Sequence, residues 1–184
     1  MVYPITKLWF YPFCRLLIRR IKGMENVPTK IPFIVVSNHE RLVDSLLIIY
    51  PILKKINKKV HLLSSGSWWF LGETICRKWA ACVPVFNPTQ AYEETKKLIE
   101  SGEIVGIFPE GGLRRTKNPK TGAVRLALEI NTPILPISLR SSYIPFNSTL
   151  NIGKLIYLKK NKKSLKKQTL KLMEYVYKLR NDVS

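Results

Sequence analysis

The feature that most constrains this chain is a rhythm of short aliphatic and β-branched runs separated by stretches of helical character. The runs fall at residues 33–37, 59–63, 82–86, 104–108 and 134–139. Several are apolar without polar–apolar alternation, as expected of strands covered on both faces. Helical stretches lie between them, near residues 43–55, 68–79, 88–101 and 121–130. Asn87-Pro88 is a helix start, with Asn able to cap and Pro suited to the first turn. Ser101-Gly102 is a matching stop. A further strand is predicted at 154–158 and a last helix over about 164–180, where Leu165, Leu172, Val176 and Leu179 recur at helical spacing. Strand–helix alternation of this kind predicts an α/β fold: a single layered domain with a largely parallel sheet flanked by helices. A chain of 184 residues holds one such domain and not two comfortable ones.

Charge narrows the partners. Thirty-one Lys and Arg stand against twelve Asp and Glu, a formal net charge of +19. Such a field implies an anionic partner, either phosphate-bearing lipid or nucleic acid. The apolar share of 46% argues against a disordered chain. Cys14, Cys76 and Cys82 are odd in number and lack C-x-x-C spacing, so reduced, buried thiols of a cytosolic protein are expected. With two histidines, a histidine-rich metal site is not expected.

No segment reaches the ~18–20 apolar residues that span a bilayer; the nearest, residues 8–18, is broken by Pro12 and Arg15. The start does not read as a secretory signal, because its charges follow the apolar stretch. Trp9, Phe10, Tyr11 and Phe13 precede Arg19, Arg20 and Lys22, a pairing that suits the headgroup layer of an anionic membrane. Residues 1–22 are therefore expected to form an amphipathic membrane-surface helix ahead of a domain at 23–184. An ordinary first helix packed on its own domain is the alternative, and the two are compatible. Eight lysines fall between Lys154 and Lys171, a solvated face that can also meet an anionic surface.

Rarity points to the chemistry. Of two histidines and two aspartates, one of each stands in Ser37-Asn38-His39-Glu40-Arg41-Leu42-Val43-Asp44. His39 falls where a buried strand gives way to a helix, a position favoured for sites in α/β folds. On a continuous helix residues five apart would face roughly 140° away from each other. With His39 in the turn and Asp44 in the first helical turn, they can meet. An Asp that accepts the Nδ1 proton leaves Nε2 free as a base, the His–Asp half of a protease triad with a substrate hydroxyl as nucleophile. Alternatively Asp44 caps its helix and His39 fills space.

A second segment runs from the strand at 104–108 into Pro109-Glu110-Gly111-Gly112-Leu113-Arg114-Arg115. Glycines let backbone approach a phosphate, and Arg114 and Arg115 can add charge-assisted bonds. Arg41, two residues past the histidine, is a third candidate for such a contact.

Together these segments resemble the glycerolipid acyltransferase family typified by 1-acylglycerol-3-phosphate (lysophosphatidate) acyltransferases. Its N-H-x-x-x-x-D and F-P-E-G motifs are matched by Asn38-His39…Asp44 and Phe108-Pro109-Glu110-Gly111. Gly23-Met24-Glu25-Asn26-Val27-Pro28 is similar to the lead-in before the family's histidine. Ala81-Cys82-Val83-Pro84-Val85 and Thr132-Pro133-Ile134-Leu135-Pro136-Ile137 stand where its second and fourth motifs belong, and Lys120-x-Gly122-Ala123 fits the run after F-P-E-G. The resemblance covers roughly residues 20–140.

It implies an O-acyltransferase of phospholipid biosynthesis. His39 would deprotonate an acceptor hydroxyl, balanced by Asp44, and the alkoxide would attack an acyl thioester without a covalent acyl-enzyme. Glu110 and Gly111 would shape the acceptor site, with Asn38 and Gly112 beside them. No metal or cofactor is implied beyond acyl-CoA or acyl carrier protein as co-substrate. The implied partners are an anionic membrane surface, a lyso-lipid acceptor and an acyl-thioester donor, with the protein peripheral on the cytoplasmic face.

The chain also departs from the pattern. Gly112 and Leu113 intervene before Arg114, where the family has Thr-Arg; Phe86-Asn87 replaces an expected arginine; Arg41 stands where Ser or Thr is common; and a common Lys is absent from residues 63–67. Members often begin with a membrane-spanning helix, whereas here the first helix is expected to lie on the surface. The departures touch phosphate recognition, so another lyso-lipid, such as a lyso-aminolipid, is the rival acceptor. A non-catalytic binder of anionic membrane or nucleic acid is the rival of a different class. No base-reading module is evident, and no specific nucleic-acid partner is expected.

Overall fold

A computed structural model describes residues 4–65, 72–160 and 164–181. Its centre is a seven-stranded sheet made of β1 (Ile18–Lys22), β2 (Ile34–Ser37), β3 (Val60–Ser64), β4 (Cys82–Pro84), β5 (Ile104–Ile107), β6 (Ile134–Arg140) and β7 (Ser148–Ile152). The spatial order is β1-β7-β6-β2-β5-β3-β4. All neighbours are parallel except β6 and β7. The helices are α1 (Pro4–Leu17), α2 (Asp44–Ile56), α3 (Pro88–Glu100), α4 (Gly122–Ile130) and α5 (Leu165–Asn181). The expected α/β domain with a largely parallel sheet is present.

Alternation along β2 explains the two cores. Val35 joins residues of α1 and α2, including Cys14, Leu47 and Ile52, on one face of the sheet. Ile34 and Val36 join α3, α4 and α5 through Ile99, Val124, Leu172 and Val176 on the other. Every residue of β2 is buried, so its apolar run without alternation reflects burial from both sides.

The sequence expectations need correction at the edges. The first helix ends at Leu17, and Ile18–Lys22 is the edge strand β1, parallel to β7. Its outward Arg19 and Arg20 hid the strand in a basic cluster. α1 packs on α2, with Tyr11 Oη donating to the Leu53 carbonyl at 3.2 Å and the Tyr11 and Tyr50 rings meeting edge to face. Gly23, at φ +76°, closes the turn after β1; a Cβ there would sit 2.0 Å from the Ile152 carbonyl oxygen.

The strand predicted at 154–158 is displaced to Ser148–Ile152, whose polar side chains disguised it. Beyond Ile152 the strand pairing of the described residues is an isolated bridge between Ile156 and Ile134. Pro136 accounts for the break: its carbonyl accepts from Gly153 N at 2.8 Å, but it has no N–H to return. The helix expected over 68–79 is described only from Glu73, with a π-helix at Thr74–Trp79; 68–71 lie outside the described residues, as do Lys162 and Lys163. Cys14 and Cys76 are buried and Cys82 partly so, all as free thiols; burial pushes the Cys14 thiol up to about 12.

Candidate active site

The chain leaves β2 toward β3 over the α2 face and leaves β5 toward β6 over the α4 face. The connections part between β2 and β5, and sites in open α/β sheets sit at the carboxyl ends of strands at such a switch point. The His39 turn follows β2 and the Glu110 turn follows β5, so both predicted segments reach this one place.

Asn38 sets the His39 turn. Its Nδ2 donates to the Leu139 carbonyl at 2.9 Å, and its Oδ1 accepts from Leu139 N at 2.8 Å. The amide thus mimics a peptide and extends the β2–β6 ladder by one rung. Expected among the substrate-binding residues, it is instead fully buried and engaged at both ends, so it positions the histidine beside it.

His39 Nδ1 lies 3.2 Å from Asp44 Oδ2. The same oxygen accepts from Glu40 N at 2.6 Å and Arg41 N at 2.8 Å, so the loop wraps around a carboxylate with no solvent exposure. Burial, the largest influence, would raise the Asp44 pKa; hydrogen bonds from His39, Ser141, Arg41 N and Glu40 N together outweigh it and hold the carboxyl below its ordinary value. Ser141 Oγ and Asp44 Oδ1 are both buried, and neither makes a hydrogen bond of standard geometry among the described residues. An ionised carboxylate only accepts, so it keeps the imidazole proton on Nδ1 and leaves Nε2 with its lone pair. The ring stacks on Phe108, centroids 4.1 Å apart and planes 15° from parallel, and remains 15% exposed. A histidine held in this way can accept a proton at Nε2. The second histidine, His61, pairs with Glu103 at 3.7 Å near the start of β3, where burial pushes its pKa down.

Glu110 braces this turn from β5. Its Oε2 accepts from His39 N at 2.5 Å, and its Oε1 accepts from the Tyr177 hydroxyl of α5. Burial first, and then this bond to Glu110, push the Tyr177 pKa up. Arg180, also on α5, pairs with Glu40. Gly111, at φ +67°, turns the chain under Lys120, whose Cε would be 2.6 Å from an added Cβ. Gly112 has open space around it.

The three arginines separate. Arg115 stacks on Tyr177, 4.1 Å from the ring centroid, and lines a cleft of about 470 Å³ with Glu174, Tyr177, Lys178 and Arg180. Arg114 is exposed and outside that lining. Arg41 donates to the Ser141 carbonyl at 2.6 Å and lies near the Tyr143 ring. Asn87 caps α3, accepting from Thr89 N and Gln90 N, and lines a separate cavity with Arg77 and Glu94.

Sequence reading missed Ser141, Tyr177, Lys178 and Arg180. The spacing of Leu172, Val176 and Leu179 identifies the buried side of α5, but nothing local says that α5 returns to the Glu110 turn.

A family model described as Acyltransferase matches residues 18–140. Over 155 residues the chain is 29% identical to a 1-acyl-sn-glycerol-3-phosphate acyltransferase of Borreliella burgdorferi, covering 75% of this chain and 58% of that protein. The match to the protein of the same description from Bacillus subtilis is 29% identical over 122 residues, 64% of this chain and 60% of that one. The chain thus spans about three-fifths of the length of these curated relatives. Its fold is shared with the 1-acyl-sn-glycerophosphate (LPA) acyltransferase PlsC from Thermotoga maritima, with a TM-score of 0.69 at 20% identity over 95% of this chain and 78% of that one.

Proposed function

The chain belongs to the acyltransferase family, and we propose that it moves a fatty acyl group from an acyl thioester to the hydroxyl of a lysophospholipid such as 1-acylglycerol-3-phosphate. The observation that carries this reading is the His39–Asp44 pair, with Nδ1 3.2 Å from the carboxylate and the imidazole still partly exposed. In the proposed reaction Nε2 takes the proton of the acceptor hydroxyl as its oxygen attacks the thioester carbonyl. Asp44 balances the imidazolium that forms. The tetrahedral intermediate collapses, the carbon–sulfur bond breaks, and the proton passes from His39 to the departing thiolate. The new ester and free thiol leave His39 neutral, and the donor is acyl-CoA or acyl carrier protein.

The names of the curated relatives support a phosphate-bearing acceptor, as does the cleft lined by Arg115, Lys178 and Arg180. It lies against the His39 turn through Tyr177–Glu110 and Arg180–Glu40. No helix among the described residues is long and apolar enough to cross a membrane. The exposed Leu8, Trp9, Phe13 and Leu16 of α1 support attachment of the domain to an anionic membrane face. The test is to incubate the purified protein and its His39→Ala variant with labelled acyl-CoA and a panel of lyso-lipids, identifying products by mass. Acylated product from the wild type alone is expected. Equal turnover by the variant would overturn the mechanism, and acylation confined to acceptors without phosphate would favour the lyso-aminolipid reading.

A further inference from the structure

The connection between β6 and β7 displays four consecutive apolar residues. Tyr143, Ile144 and Phe146 are 62%, 65% and 59% exposed, and Pro145 between them is exposed too. The loop is nevertheless built, not slack. Ser148 Oγ accepts from Ser142 N at 2.9 Å and donates to the Ser142 carbonyl, while Ile144 N donates to Ser142 Oγ at 3.0 Å. Phe146 N donates at 2.7 Å to the carbonyl of Leu16, one of the last-turn carbonyls that a helix leaves unpaired. The loop therefore caps the C-terminus of α1. Phe146 is held at φ +53°, a left-handed conformation that disfavours any side chain and that glycine adopts freely. A phenylalanine at a glycine-like position, pointing outward, gains nothing from the protein's own core.

The helix that this loop caps has the same property. At about 100° per residue, Leu8, Pro12, Leu16, Trp9 and Phe13 share one arc of α1, and all are exposed. Phe10, Cys14 and Leu17 occupy the buried arc. A helix with two apolar faces and one core leaves its second face for something else. The hydrogen bond from Phe146 to Leu16 joins that face and the loop into one surface. It is bordered by the exposed Arg15, Arg19 and Arg20, and it reaches the active site, since Ser141, two residues before Tyr143, lies beside Asp44.

We propose that the β6–β7 loop is a second membrane contact. It inserts Ile144 and Phe146 into an anionic lipid surface beside the outer face of α1, so that the bilayer plane lies next to the His39 turn. The inference rests on the proposed action at a lipid surface, and it names the part of the domain that meets the lipid. Apolar residues bordered by arginines match an acyl layer under anionic headgroups. A second copy of a chain with net charge +19 would bring the same arginines against their own kind.

The test uses the full chain and an Ile144→Ser/Phe146→Gly variant. Glycine suits the backbone at 146, so the thermal transition is expected to stay in place. Flotation with phosphatidylcholine vesicles containing phosphatidylglycerol should weaken by about ten- to a hundredfold, the loss expected for two partly buried apolar side chains. Transfer to acceptor embedded in those vesicles should fall in parallel, while transfer to a monodisperse short-chain acceptor stays unchanged. Equal flotation of variant and wild type overturns the proposal and leaves the acyltransferase reading standing. Sedimentation showing a wild-type dimer that the variant dissociates also overturns it, by giving the patch to a second copy. A wild type that acylates no acceptor, but whose flotation is lost in the variant, supports the loop and removes the catalytic reading instead.

Discussion

The turns that follow β2 and β5 sit side by side at the same end of the sheet, yet they are built in opposite ways. In the turn after β2, the Asn38 amide, the amide nitrogens of residues 39–41 and Asp44 Oδ2 are all engaged within the protein. In the turn after β5, Glu110 reaches inward, but Gly111, Gly112, Leu113, Arg114 and Arg115 are all exposed. A proton acceptor must be held in one place before substrate arrives, because only preorganised geometry contributes to the barrier. A surface that recognises charged substrate needs reachable donors and tolerates adjustment. The contrast predicts that changes in the first turn act on kcat and changes in the second act on KM.

The largest effect should come from His39→Ala, which removes the proposed base. General-base catalysis is worth roughly 10²–10⁴ in rate, and the loss should appear in kcat with little change in melting temperature. A KM effect without a kcat effect would break the contrast. Asp44→Asn should come close behind, because an amide donates where the carboxylate accepts and withdraws the charge opposite the imidazolium. The fold should survive, since the new amide nitrogen can face the Ser141 hydroxyl while the oxygen keeps the bonds from Glu40 N and Arg41 N. Stability should also depend on Asp44 in acid. Its carboxyl pKa is depressed in the folded state, so its ionised form contributes stability in full above about pH 4, the ordinary carboxyl range. That contribution is lost as pH falls through the lower folded value. Urea melts from pH 7 downward should show the wild type losing more stability than Asp44→Asn; parallel curves would count against the network.

Arg115→Ala comes next. A charge-assisted bond to phosphate is worth about 1.5–3 kcal/mol, or roughly ten- to a hundredfold in affinity. The apparent KM for a phosphate-bearing acceptor should rise by that factor, with the constant for the acyl donor moving less. Arg114→Ala, whose side chain lies outside the cleft lining, should do less. The reverse ranking would move the recognition site out of the cleft.

The legible parts of this molecule are those whose reason is local. Buried strands are apolar without alternation, Asn87 caps a helix whose next residue is proline, and a histidine five residues before an aspartate straddles a strand end. β1 and β7 were hidden because Ile-Arg-Arg-Ile-Lys and Ser-Thr-Leu-Asn-Ile are strands only by virtue of each other and of β6. The contact of α5 with the Glu110 turn is hidden for the same reason. Tyr177 and Glu110 are 67 residues apart, and no periodicity reports a contact at that separation. In the sequence Asn38 reads as a substrate contact because it adjoins His39; the register of β6 reveals its bonds to Leu139.

The smallest effect tests the link between the two turns. Tyr177 bears on both, on the first through the second: its hydroxyl donates to Glu110, which holds His39 N, and its ring lies under Arg115. Two substitutions separate these contacts. Tyr177→Phe keeps the ring and removes the donor, freeing one Glu110 oxygen beside the His39 turn. The net worth of one such bond is about 1 kcal/mol, so kcat should fall about fivefold while the acceptor KM stays within about twofold. Tyr177→Leu removes the ring as well. Loss of the cation–π contact, roughly 0.5–1 kcal/mol at an exposed site, should let Arg115 wander and add a two- to fivefold rise in the acceptor KM. Steady-state kinetics on the two variants decide the matter. If Tyr177→Phe raised KM and left kcat untouched, Glu110 would belong to recognition and not to the support of the base. If both variants changed only the melting temperature, α5 would be packing alone, and the two turns would act independently of the helix that joins them.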